Sequence, residues 1–223
     1  MPPILTTGVG KYGAGVAPPA GTTVWRGADI FTLVGSGKVQ TATINTGTHG
    51  PTRRVIMMLF GADNPTQSVF DVKVNGITLT SRATDGGSGS MYGAVYDNIV
   101  NVADTGAGNV VVTWNVATQQ EVAFGLWTAT ALSTGFLSGG AGLSYGINLT
   151  AAAGDNIFYG SVITTAGDYT ISSEPPDLHT TQPGFYAVQS AGWMPVIGSY
   201  PGTTFQIRHN SGGQLKGMYG IYR

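Results

Sequence analysis

The chain has 223 residues, no cysteine and a formal net charge of -1 from 10 basic and 11 acidic side chains. Such a balance provides no long-range field to gather phosphates, so nucleic acid is not an expected partner, and without cysteine neither a disulfide framework nor a thiolate metal site can form. Only 9% of the residues are charged, against about 25% in an average soluble domain, which leaves the surface to Thr, Ser, Asn, Gln and Gly. Weak self-repulsion favours association, so much of this surface is expected to lie inside an assembly.

Residues 1–24 hold Gly8, Gly10, Gly13, Gly15 and Gly21 with Pro2, Pro3, Pro18 and Pro19 and show no sustained periodicity. They read as an extended arm, too poor in apolar surface to order by itself, that a neighbouring subunit would hold. The start, Met1 to Thr7, lacks the basic region and apolar core of a secretory signal. The longest apolar run, Val55 to Phe60, falls far below the roughly 18 residues of a spanning helix, so no membrane partner is expected.

From Val24 onward the chain reads as short strands between turn residues. Ile30 to Val34 and Val39 to Ile44 flank Gly35-Ser36-Gly37. Val55 to Phe60 is apolar on both faces, as a central strand covered on both sides would be. The strongest local signal is Ser68 to Thr80, where Asn75-Gly76 separates two alternating runs. A type I′ turn there puts Val74 opposite Ile77 and Val72 opposite Leu79, with Asp71, Lys73, Thr78 and Thr80 on the other face. A flexible loop, Asp85 to Ser90, leads to strands at Met91 to Ile99, Val110 to Val116 and Val122 to Ala131.

The second half echoes the first. Leu143 to Leu149 alternates, Asn156 to Thr164 is another apolar run, and Phe185 to Gln189 shares Ala-Val with Gly93 to Tyr96. Thr203 to His209 follows the alternation of Val110 to Val116, and Tyr219-Gly220-Ile221-Tyr222 matches Phe124-Gly125-Leu126-Trp127. These matches give pseudo-repeats of about 38–132 and 142–222 within a β-sandwich domain at 25–223. The expected class is all-β, an antiparallel, jelly-roll-like β-sandwich with an extended N-terminal arm. Two separate small sandwiches are the alternative, with Ser133 to Gly142 as linker.

No residue set carries catalytic chemistry. Gly8-Val9-Gly10-Lys11-Tyr12-Gly13 fits the dinucleotide string, but Pro18-Pro19 follows where a helix would have to point its amides. Asp104-Thr105-Gly106 matches the aspartic-protease tripeptide, yet that chemistry needs two such carboxylates, and the stretch reads as a turn. His49, His179 and His209 lack ligand spacing, so no metal or other cofactor is expected. Ser88 lacks a nucleophile elbow, and Asn148-Leu149-Thr150 is a sequon inside an expected strand. Asp97 and Asp155 are the carboxylates on which a hydrolase reading would rest. Among the aromatics, Trp114 is in register with Val110, Val112 and Val116 and belongs to a core. Trp193 falls in an expected loop, Ala191 to Pro195, and is the candidate ligand or partner contact.

The Gly/Thr-rich arm, the arrangement Asp71-Val72-Lys73-Val74-Asn75-Gly76-Ile77-Thr78-Leu79 and the Val-Val-Val-Thr-Trp strand at 110–114 resemble β-sandwich structural proteins of tailed bacteriophage virions. The resemblance extends over nearly the entire chain and takes in capsid decoration, neck and tail-surface proteins. It implies a non-enzymatic virion component, assembled in the host cytoplasm, that contacts copies of itself and other virion proteins. The alternative reading is a carbohydrate- or host-receptor-binding β-sandwich module, with a surface glycan as partner.

Overall fold

The structure is a computed structural model that describes residues 23–32, 38–62, 69–85, 91–115, 121–130, 132, 135–143, 147–148, 152, 155–163, 169–171, 178–183, 188–195, 204–205, 207–209 and 215–223. The expected arm, the Gly8 to Gly13 string and Ser88 lie outside these residues. The first half supplies β1 (Thr23–Thr32), β2 (Val39–Ala42), β3 (Arg54–Ala62), β4 (Val69–Val74), β5 (Ile77–Thr78), β6 (Thr80–Asp85), β7 (Met91–Ile99), β8 (Val110–Trp114) and β9 (Glu121–Ala129). The second supplies β10 (Phe136–Leu143), β11 (Ile147–Asn148), β12 (Asn156–Ile163), β13 (Tyr169–Ile171), β14 (Leu178–Pro183), β15 (Val188–Pro195), β16 (Thr204–Phe205), β17 (Ile207–His209) and β18 (Leu215–Tyr222).

The chain is all-β, with antiparallel sheets packed face to face. A five-stranded sheet of order β1-β9-β3-β7-β6 lies between a four-stranded sheet, β2-β8-β4-β5, and a second five-stranded sheet, β10-β18-β12-β15-β14. Alternation along β3 explains the central position. Val55, Met57 and Leu59 join Val72, Val74, Val110, Val112 and Trp114 in one core, while Ile56 and Met58 join Trp127, Phe158, Met218 and Tyr222 in another. All five residues from Val55 to Leu59 are 0% exposed, so the two-sided apolar run is a strand buried on both faces, as its sequence requires.

The hairpin closes in the expected register. Val74 pairs with Ile77 and Lys73 with Thr78, and the Leu79 amide donates to the Val72 carbonyl at 2.8 Å. Asn75 and Gly76 sit at φ of 50° and 78°, the left-handed values a type I′ turn needs. Beyond Leu79 the chain leaves this sheet, and Thr80–Asp85 pairs with β7 in the central one.

Three expectations are corrected. Ser133 to Gly142, the linker of the two-sandwich alternative, contains most of β10, which pairs with β18. Its glycines serve close packing: a Cβ on Gly139 would lie 2.7 Å from the Tyr219 carbonyl oxygen, so the neighbouring backbone occupies the space a side chain would need. The single strand expected from Leu143 to Leu149 is instead the end of β10 and the short β11, which pairs with β16. Trp193, expected in a loop, is a strand residue of β15, with Phe158 on one side and Leu178 on the other.

Candidate functional site

Two clusters of described polar side chains form where strands end. The first surrounds the Asn75-Gly76 turn. Arg53 is 1% exposed, and its guanidinium is spent on backbone carbonyls: Nε donates to Val100 at 2.8 Å, Nη1 to Thr46 at 2.9 Å and Gly47 at 3.0 Å, and Nη2 to Val102 at 2.8 Å. Burial pulls its pKa down, partly offset by the nearby Asp104 carboxylate. Asn75 Nδ2 donates to Asp104 Oδ1 at 3.1 Å and to Thr46 Oγ1 at 3.0 Å, and Asn109 Nδ2 donates to Asn75 Oδ1 at 2.9 Å. The Thr46 amide and hydroxyl both donate to Asp104. Asp104, the carboxylate of the Asp-Thr-Gly string, is thus an acceptor that pins a loop, and the cluster ties three separate chain segments to the hairpin tip.

The second cluster lies where β3 begins and β7 ends, against the second half. Asp97 is 0% exposed and bridges two arginines, Arg54 Nη1 to Oδ2 at 3.0 Å and Arg82 Nε to Oδ1 at 2.7 Å. The Arg82 guanidinium also lies over the Phe136 ring of β10, 5.3 Å from its centroid. Phe136 meets Tyr222 edge to face at 5.5 Å. The Tyr222 pKa is pushed well up, first by burial and then by the Asp97 charge, with Arg54 and Arg82 pulling the other way. Nearby, Asp155 Oδ1 accepts from Arg223 Nε at 2.7 Å and Oδ2 from the Ala152 amide at 2.7 Å. Arg223 is held in turn through its own backbone, which exchanges hydrogen bonds with Gly135 in both directions. Asp97 and Asp155, the carboxylates of the hydrolase reading, are therefore each committed to arginine at a strand end.

The remaining sequence candidates lie on separate elements. His49 is exposed on the loop between β2 and β3, while His179 and His209 fall in β14 and β17. Among the described residues, no group of three or more His, Asp or Glu side chains could hold a metal. Asn148 is in β11, as expected for the sequon, and the rest of that motif lies outside the described residues. Trp114 is in the core at 1% exposure, donating Nε1 to Gln40 Oε1 at 2.6 Å. Trp193 occupies a register position equivalent to that of Val95: Val95 pairs with Met58 and Trp193 with Phe158, each on the strand beside the middle of its sheet. Arg53 and the Arg54–Asp97–Arg82 bridge were not picked out as a site from the sequence. The adjacent Arg53-Arg54 before an apolar run was the available signal, because two arginines entering a buried strand must find acceptors. Comparison with known families, with curated proteins and with solved structures finds no match.

Proposed function

We propose that the protein is a non-enzymatic structural component that works through subunit contacts, in a virion as a capsid decoration or tail-surface element. The observation that carries this reading is the use made of four acids among the described residues. Asp71 pairs with Lys73, Asp97 with Arg54 and Arg82, and Asp155 with Arg223, while Asp104 accepts from Thr46 and Asn75. A catalytic carboxylate must instead face a substrate with a free lone pair or proton. Three of these carboxylates, Asp97, Asp104 and Asp155, brace strand ends and loops, which suits a rigid building unit, while Asp71 forms a surface pair within β4. For a virion, the support is the sequence resemblance of the arm, of Asp71 to Leu79 and of Val110 to Trp114 to phage β-sandwich proteins.

The test is hydrodynamic and biochemical. Purified full-length protein should sediment as an oligomer or co-sediment with particles, and should leave a panel of polysaccharides intact. A monomer that ignores particles and cleaves a polysaccharide would overturn the reading.

A further inference from the structure

The two five-stranded sheets share one plan. Reading β1, β9, β3, β7, β6 against β10, β18, β12, β15, β14 keeps chain order as well as position: first, last, middle, and the two strands of the returning pair. The registers agree residue by residue. Ile56, Met57, Met58 and Leu59 pair with Trp127, Leu126, Gly125 and Phe124. Asn156, Ile157, Phe158 and Tyr159 pair with Tyr222, Ile221, Gly220 and Tyr219. Even the irregularities recur: β1 slips between Trp25, opposite Trp127, and Gly27, opposite Leu126, while β10 slips between Phe136, opposite Tyr222, and Ser138, opposite Ile221. The small sheets extend the match, with β2 on β8 and β4 on β8 in the first half answered by β11 on β16 and β13 on β17 in the second.

This register corrects one detail of the sequence-based repeat. The shared Ala-Val at 94–95 and 187–188 is fortuitous, because the pairing to β3 and β12 sets Val95 against Trp193. The Phe-Gly-Leu-Trp and Tyr-Gly-Ile-Tyr match holds, since both segments pair with the central strand in the same register.

The same face of each sheet meets the other. Met58 and Trp127 on one side, and their counterparts Phe158 and Tyr222 on the other, share a single core. Leu126 faces the first half's own sandwich core, and its counterpart Ile221 is buried outside the shared one. Contacts at the middle of the interface are reciprocal: β18 touches β7 and β9 touches β15, with β3 and β12 touching each other at the centre. Residue i meeting j while j meets i is the signature of an isologous pairing about a twofold axis. We infer that the second half is a structural duplicate of the first, docked on it through an internal pseudo-twofold interface, so that the chain is a fused dimer whose self-fitting apolar face is filled from within. Strict symmetry is broken along the β6–β7 edge, where β10 lies against β6 and β7, β12 against β7 and β18 against β6 without matching contacts among the described residues at the β14–β15 edge, beside the Asp97 bridge and under Arg82. Taken with the proposed structural role, the duplication has a further consequence. Whole chains must then associate through surfaces other than this one.

A reciprocal exchange in the full-length chain tests the interface independently of oligomeric state. Phe158 meets Trp127 of the opposite half edge to face at 5.4 Å, and Tyr222 of its own sheet at 5.3 Å. Under the pseudo-twofold, a phenylalanine at 58 stands to Tyr222 and Trp127 as Phe158 stands to Trp127 and Tyr222. Met58→Phe and Phe158→Met alone should each lower the unfolding midpoint by about 3–8 °C, the one by overfilling and the other by a lost ring contact. The double variant should regain more than half of the summed loss. Strictly additive losses would overturn the proposal. Should a single variant fail to fold, an experimental structure decides by superposition of the β3, β7 and β9 backbone on that of β12, β15 and β18. A rotation near about 180° supports the inference, and a translation or a rotation far from it refutes it.

Discussion

Replacing Asp97 by Asn keeps the side chain's shape and removes its charge, leaving Arg54 and Arg82 facing a neutral amide. Breaking a buried ion pair on one side costs about 3–5 kcal/mol when the remaining charge stays buried. Here the arginine side chains are 16% and 31% exposed, so both can turn toward water and recover part of their hydration. The expected loss is therefore about 2–3 kcal/mol, which in a chain of this size lowers the thermal midpoint by about 4–12 °C. Because Arg82 also covers Phe136, its release should loosen β10 before the central sheet. Urea unfolding gives the stability change, and hydrogen exchange should show faster exchange concentrated in β6 and β10. Added salt should narrow the gap between wild type and variant only slightly, since a carboxylate at 0% exposure is poorly screened. A loss below about 0.5 kcal/mol, or one abolished by salt, would place the bridge among ordinary surface pairs and refute the argument.

Other parts of the structure respond to different probes. Burial raises the pKa of Tyr92, Tyr96, Tyr159 and Tyr222, so the native state holds phenolic protons that the unfolded chain has already given up. Their contribution to stability is complete below about pH 10 and falls as pH rises above it. Tyrosinate absorbance for these four should therefore appear together with loss of circular dichroism, and free titration of all tyrosines in a still-folded chain would contradict the burial. Gly139→Ala should cost about 2–3 kcal/mol in urea unfolding, because the added methyl meets a backbone carbonyl at 2.7 Å that cannot rotate away. A neutral result would show that the β10–β18 pairing is looser than described. Asn75→Gly keeps the turn's left-handed backbone but loses the donors to Asp104 and Thr46, with an expected cost of about 1–2 kcal/mol. By contrast Gly76→Ala, at φ 78° with nothing near its Cβ, should cost only the backbone strain, about 1 kcal/mol. Reversal of that order would show that the turn, and not the polar cluster, holds the hairpin tip.

Local chemistry made part of this molecule readable in advance. Asn75-Gly76 dictates its turn through backbone preferences that need no partner, and alternation on either side dictates which face is buried. An unbroken apolar run at Val55 to Leu59 admits few solutions other than a strand covered twice. The Phe-Gly-Leu-Trp and Tyr-Gly-Ile-Tyr segments preserve the same neighbours because a glycine between large side chains fills the same register position in both sheets.

Partnership across distance decided the rest. Ser133 to Gly142 has the composition of a flexible connector, and becomes largely a strand only because β18 pairs with it and packs closely on Gly139 and Gly140. Trp193 sits among loop-like residues, yet β12 and β14 flank it and make it strand. Arg54 finds Asp97 43 positions away, and Arg223 finds Asp155 68 positions away. No pattern of spacing encodes such pairs, because their geometry exists only once distant strands have paired in register, β3 and β6 beside β7 and β12 beside β18. Periodicity thus determined the strands and their buried faces, while the long-range strand pairing that sets the ion pairs, and the stacking of one duplicate on another, are properties of the tertiary structure alone.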